Sequence, residues 1–220
     1  GPVADLAIVF AVTDKEKGAN GISVFVVEKG TKGFSVARHL EKMGLKTSPM
    51  AELFFDDCEV PEENRLGKEG AGQNLFTHSM TWERGCILAS AVGTMERLLE
   101  MSIRYARERK QFGQAIGKFQ LVATKIVDMK LRLETARALL YRAAWLRSRG
   151  KSIFLEAAMT KLHIRESWVA TAQDAVQIFG GYGYMQEYEV ERELRDALGS
   201  RLYSGTSEIQ RTIIAPLLGL

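Results

Sequence analysis

The feature that most constrains this chain is an apolar seam between residues 122 and 140. Val122, Ile126, Met129, Leu133, Ala136 and Leu140 recur in alternating steps of four and three. That spacing puts all six side chains on one stripe of an α-helix. A strand cannot use it, because strand side chains alternate with period two. No proline interrupts the run, and Gly150 is a natural stop, able to take the left-handed position after a helix. A helix this long must bury its stripe against other helices, and the chain supplies them. Leu88, Val92, Met95 and Leu99 share one face, with Glu96, Glu100 and Arg104 on the wet side. A third helix runs from about Ile153 to Val176, with Leu155, Leu162, Val169 and Val176 on one side, and ends at Phe179-Gly180-Gly181. A fourth runs from about Ser207 to the C-terminus. The pattern reads as an antiparallel four-helix bundle.

Upstream, the chain reads as strands. Leu6 to Val12 is an apolar run and Ile22 to Val27 a β-branched one. Between them the turn-rich stretch Asp14 to Gly21 ends in Asn20-Gly21, a hairpin signal. Phe34 to Ala37 alternates again, and Leu53 to Phe55 is the last short strand before Pro61 and the polar run 62–65. The expected fold class is therefore α+β, mainly α, with a β piece over residues 1–66 and a helical bundle over residues 67–220. The β piece lacks a second layer, since a few strands do not bury their apolar runs alone. The chain thus reads as cut inside a β domain.

Charge and composition exclude several classes. The formal net charge is +3, and 26% of residues are charged. No basic stripe of a nucleic-acid binder is present; the cluster from Arg104 to Lys110 reads as a solvated helix face. No segment reaches the length of a membrane span. Cys58 and Cys86 have no CxxC spacing, which fits a reducing compartment rather than a disulfide scaffold. His39, His78 and His163 share no helix face, so no metal site is expected.

Four groups of residues can carry chemistry. Glu83 is set among Phe76, Met80 and Ile87 at helical spacing. A carboxylate in such an apolar stripe has its charged form disfavoured, which tunes it as a general base. The alternative is an ion pair with Arg84 or another helix. Arg109, followed by Phe112-Gly113 and Gln120, offers a phosphate grip and an aromatic cover, or else a charged helix end with a capping turn. Gln177-Ile178-Phe179-Gly180-Gly181 lets a backbone approach a ligand, or simply ends a helix. Ser204-Gly205-Thr206-Ser207-Glu208 offers backbone N–H groups at a helix start to an anion, or is an ordinary N-cap.

The order and spacing of these pieces resemble the acyl-CoA dehydrogenase family. The resemblance rests on Arg109 to Gly113, Phe119-Gln120, Gln177 to Tyr184, Arg195-Asp196-Ala197 and Gly205 to Arg211. In the β section, Glu41 to Leu45, Glu52 to Asp57 and Val60-Pro61 agree. The family has an N-terminal helical domain, a middle β domain and a C-terminal four-helix bundle. This chain resembles the second half of the middle domain followed by the bundle. Two positions depart from the family pattern: Tyr182 stands where Asn is frequent, and Glu189 where Pro is usual.

The resemblance implies FAD as cofactor, lying between domains and subunits. Arg109, Phe112, Gln120 and Gln177 to Gly181 would contact a neighbouring subunit's FAD, and Thr206, Ser207 and Glu208 the subunit's own. A homotetramer, or a dimer, is implied. The family reaction takes the α-proton of an acyl thioester with a glutamate while the β-hydrogen leaves as hydride. The usual place of that glutamate is Ser204 here, so the base matches Glu83, as in isovaleryl- and long-chain-type members. Thr81, Trp82, Arg84, Ser204 and Gly205 would line the acyl and thioester site. The implied substrate is an acyl-CoA or an acyl-carrier-protein thioester, and the implied acceptor an electron-transfer flavoprotein. The compartment would be a bacterial cytoplasm, or the mitochondrial matrix in a eukaryote. The alternatives are an oxidase or flavin monooxygenase on the same fold, and a non-catalytic oligomerisation fragment.

Overall fold

The structure is a computed structural model and describes residues 1–220. The chain forms two compact units, Gly1–Met80 and Thr81–Leu220.

In the first unit, β1 (Leu6–Val12) pairs antiparallel with β2 (Ile22–Glu28), in register from Leu6↔Glu28 to Val12↔Ile22. The connection is not the Asn-Gly hairpin turn that the sequence suggests. Residues 15–21 coil into a 3-10 segment broken at Gly18, with Asp14 accepting from the Glu16 amide at 3.0 Å. Thr13 N and Asp14 N both donate to Gly21 O, at 2.8 and 3.1 Å. A Cβ on Gly21 would lie 1.8 Å from Asp14 O, so only glycine closes this loop. β3 (Phe34–Leu40) and β4 (Met50–Phe55) form a separate ribbon, with a register irregularity between Val36 and His39. Both strands run further than the alternation predicts, because pairing resumes beyond the irregularity at His39↔Ala51 and Leu40↔Met50. β5 (Arg65–Leu66) pairs with the far edge of β2.

Helix α1 (Gly72–Cys86) begins in this unit, with Phe76 edge-on to Phe10 at 5.7 Å. The boundary between the two compact units falls inside α1, at Met80/Thr81.

The second unit contains α2 (Ala89–Glu108), the short strands β6 (Lys110–Gln111) and β7 (Gln114–Ala115), then α3 (Gln120–Ser148) and α4 (Phe154–Phe179). The helices α5 (Val190–Ser200) and α6 (Ser207–Leu217) complete it. Met129, Leu133 and Ala136 of the α3 seam are buried, and Val122, Ile126 and Leu140 pack on the core as half-buried residues. Helix α4 is central and packs on α2, α3, α5 and α6.

That central place corrects the stripe expected on α4. Of Leu155, Leu162, Val169 and Val176, only Val169 is fully buried. A helix covered on several sides buries residues all round, here Ala158, Lys161, Ile164, Arg165 and Trp168 among them. Helix α5 is an element that the four-helix reading leaves out, although Val190, Leu194, Ala197 and Leu198 recur at helical spacing and pack on the core, amid Glu191, Arg192, Glu193 and Arg195. Glu189 begins it with φ +61, a conformation closed to proline, and pairs with Arg97 at 3.3 Å and Arg192 at 3.4 Å. No helix is long and apolar enough to cross a membrane, and no group of His, Cys, Asp and Glu is arranged to hold a metal ion. Both cysteines are free thiols.

Candidate active site

Glu83 lies on the last turns of α1, half-buried. The apolar sleeve that its spacing suggests does not form: Phe76 and Ile87 are 43% and 36% exposed. What meets its carboxylate is a hydroxyl. Ser204 Oγ donates to Glu83 Oε1 across 121 residues of chain. Adjacent residues on a helix point about 100° apart, so Arg84 faces another way. Arg84 is 9% exposed, its Nε has no hydrogen-bond partner, and its Nη2 lies 3.6 Å from where a Cβ of Gly205 would stand.

Ser204 sits in the loop between α5 and α6. Ser204 and Gly205 are consecutive left-handed residues, with φ +55 and +87. A Cβ on Gly205 would lie 2.9 Å from Gln210 Nε2, the movable end of a side chain, so it is the left-handed backbone that calls for glycine here. Thr206 then caps α6, accepting from the Ile209 amide at 3.3 Å. Two fully buried cations of α4 hold this loop from inside. Lys161 Nζ donates to Tyr203 O, and to Gly205 O at 3.1 Å. Arg165 Nη1 donates to Gly205 O at 2.9 Å and to Arg201 O at 3.1 Å. Burial, with Arg165 and Arg84 beside it, lowers Lys161 to about 7, while Glu83 opposes that shift. Burial likewise lowers Arg165 to about 10.

The other candidate residues fall in two places. Arg109, Ile178, Phe179, Gly180 and Gly181 line one groove of about 580 Å³, with Tyr105, Gln111 and Tyr182. Tyr105 stacks on Phe179 at 4.2 Å, and the Arg109 guanidinium lies 5.6 Å from the centre of the Tyr182 ring. Gly180 and Gly181 have open space where a Cβ would be. The groove thus offers a cation, flat rings and approachable backbone, the donor set a nucleotide pyrophosphate needs. Gln177 is exposed and outside its lining, as is Gln120 at the start of α3. Phe112 is also outside it. Phe112-Gly113 forms the tip of the β6–β7 hairpin, with φ +51 and +81, the signs of a type I′ turn. Phe112 is 92% exposed there, a backbone outlier for a bulky residue.

Ser207 is turned inward: it is 4% exposed and its hydroxyl donates to Glu166 at 2.6 Å. Thr206 and Glu208 remain accessible beside it. Trp82 points away from Glu83 and lies under the Arg147 guanidinium, 4.4 Å from the ring centre. It lines a 550 Å³ cavity with Cys86, Ala143 and Ile153. Thr81 is half-buried on the turn before Glu83. Sequence reasoning missed Lys161 and Arg165, which look like wet-face charges of an amphipathic helix, and Tyr105, which sits in a charged run.

Comparison with known proteins finds relatives of this chain. Residues 70–218 match the family model described as acyl-CoA dehydrogenase, C-terminal domain, and residues 1–58 the one described as acyl-CoA dehydrogenase, middle domain. An L-prolyl-[peptidyl-carrier protein] dehydrogenase of Pseudomonas fluorescens is 48% identical over 219 residues, covering 100% of this chain and 58% of that protein. The crystal structure of the prolyl acyl carrier protein oxidase AnaB superposes with a TM-score of 0.98 at 56% identity, covering 100% of this chain and 58% of that one. Butyryl-CoA dehydrogenase from Megasphaera elsdenii superposes with a TM-score of 0.97 at 41% identity, covering 100% and 57%. The chain thus spans under two thirds of the length of the relatives it matches.

Proposed function

This chain belongs to the acyl-CoA dehydrogenase family, and from that premise we propose that it is the base-bearing part of an FAD-dependent enzyme oxidising an acyl thioester. The reading takes residues 1–66 as the later portion of a middle β domain and residues 67–220 as the bundle domain. The substrate class is an acyl group on a carrier-protein or CoA thiol, and the relative that acts on a prolyl carrier-protein thioester supports the carrier-protein form.

The observation that carries the reading is the meeting of Glu83 and Ser204. The loop position where most family members hold the glutamate carries a hydroxyl here, and that hydroxyl holds a glutamate from α1. Glu83 takes the α-proton, and Ser204 orients the carboxylate by donating to Oε1. Arg84 brings a buried positive charge beside the Gly205 end of the site. Thr81 and Gly205 complete the acyl and thioester lining in this reading, whereas Trp82, turned under Arg147, lies outside it. Bound FAD supplies the acceptor for the β-hydrogen as hydride. Arg109, Phe112, Gln120 and residues 177–181 would hold its adenosine pyrophosphate, with Thr206, Ser207 and Glu208 at a second FAD. Ser207 can contribute there only from its outer surface, since Glu166 already engages its hydroxyl.

A cofactor shared between subunits requires an oligomer, a homotetramer or a dimer. Leu121, Val127 and Leu131 on α3, 83%, 64% and 62% exposed, offer it an apolar face. A bacterial cytoplasm suits the two free thiols.

The test is anaerobic bleaching of the flavin in the full-length protein by a panel of CoA and carrier-protein thioesters, with Glu83→Gln alongside. One thioester bleaching the wild type while the variant stays yellow is the expected result; a flavin that no thioester bleaches sinks the reading. The similarity to AnaB, named an oxidase, favours a second reading in which oxygen rather than an electron-transfer flavoprotein takes the electrons. Oxygen consumption during turnover separates the two.

A further inference from the structure

The hydroxyl that meets Glu83 stands on a backbone that does not favour its own shape. Ser204 has a side chain yet sits at φ +55, directly before Gly205 at +87. Left-handed residues of this kind persist where their surroundings over-determine them. The surroundings here are Lys161 and Arg165, each 0% exposed. Their hydrogen bonds reach the carbonyls of Tyr203, Gly205 and Arg201, on both sides of Ser204. The groups facing Lys161 are Arg165 on its own helix, Arg84 and Glu83 on α1, and the Tyr203 ring 5.5 Å from its nitrogen. Burying two cations side by side is costly, and an apolar side chain of similar volume would fill the same space without that cost. A methionine would not, however, hold two carbonyls that diverge around a left-handed turn.

We infer that Lys161, with Arg165 beside it, is a positioning residue for the reaction: it clamps the Tyr203 and Gly205 carbonyls and so fixes the turn from which Ser204 holds the Glu83 carboxylate. The inference rests on the reading of Glu83 as base. It separates the loop's two tasks. The α6 cap by Thr206 anchors the downstream side of the loop, whereas the clamp sets where the Ser204 hydroxyl points.

The test uses the flavin-loaded full-length protein and follows kcat and KM with a bleaching thioester. Lys161→Met is expected to lower kcat about tenfold to a hundredfold, because a misdirected base loses its attack geometry while substrate still binds. KM stays within about twofold and flavin content matches the wild type. Ser204→Ala is expected to lower kcat about tenfold at similar KM, with the clamp intact. A Lys161→Met protein with wild-type kcat overturns the inference, as does one whose loss lies wholly in KM. If that variant does not fold, Ser204→Ala decides, and an unchanged kcat there overturns it. Glu83→Gln, run in parallel, keeps the two ideas apart. Retained turnover in Glu83→Gln removes the base reading itself; lost turnover there with full turnover in Lys161→Met removes only the clamp.

Discussion

Ile8 and Leu133 are both aliphatic residues set in apolar runs, yet Ile8 is 64% exposed and Leu133 1%. The difference runs through the two units. In the first, Leu6, Ile8 and Val12 are exposed along β1 within a chain that spans 58% of the Pseudomonas fluorescens relative's length, and Val24 and Val27 are the fully buried aliphatics. In the second, α4 passes through the middle, and each of its neighbours has an apolar partner to cover. A periodic pattern says which face seeks burial; whether anything covers that face depends on layers that the pattern does not mention. The candidate chemistry lies in the closed unit, where a buried scaffold can hold a carboxylate and a strained loop in fixed relation.

The largest expected effect tests that placement. Glu83→Gln should lower turnover by about 10²–10⁴ in the full-length protein while flavin stays bound, read by stopped-flow bleaching. Next is the closed core. Leu133→Ala should cost about 2–5 kcal/mol by urea unfolding, through the transferred surface and the cavity left behind.

A third effect is pH-dependent. Lys161 is lowered by burial to about 7 when folded, against 10.5 for a free lysine side chain. Across that interval the unfolded chain binds a proton that the folded chain releases. Stability should therefore rise with pH from about 7 towards 10, with the full burial penalty present below 7. Unfolding midpoints of Lys161→Met against pH should lack that rise; equal slopes in both proteins would contradict the burial argument.

Smaller still is the hairpin tip. Phe112→Asn puts the Asn-Gly pair that type I′ turns favour at a position where Phe is strained, and should stabilise the chain by about 1 kcal/mol. The same change should weaken flavin retention if Phe112 covers the cofactor. Smallest is Ile8→Thr, expected to shift this chain's stability by under about 0.5 kcal/mol. A cost matching that of Leu133→Ala would break the contrast between the units.

The candidate site residues were legible one by one, and their assembly was not. Glu83 stood out by helical spacing and Ser204 by the loop it occupies, but nothing local says that they touch across 121 residues. Arg109 and Ile178 to Gly181 were each visible as motifs; their groove also needs Tyr105 and Tyr182, brought there by stacking and cation–π geometry. The sleeve around Glu83 failed because a helical stripe fixes direction but not cover.

By itself the sequence determined the periods: strands before about residue 66, long helices after it, and glycines at some of the left-handed turns, though not at Phe112 or Ser204. Those follow from local sterics and side-chain spacing, which act over a few residues. Only the tertiary structure decided that α4 is central, that its Lys161 and Arg165 are buried, and that they face loop carbonyls rather than water. A cation on a helix looks the same in sequence whether it meets solvent or a carbonyl, because burial belongs to the neighbours and not to the residue.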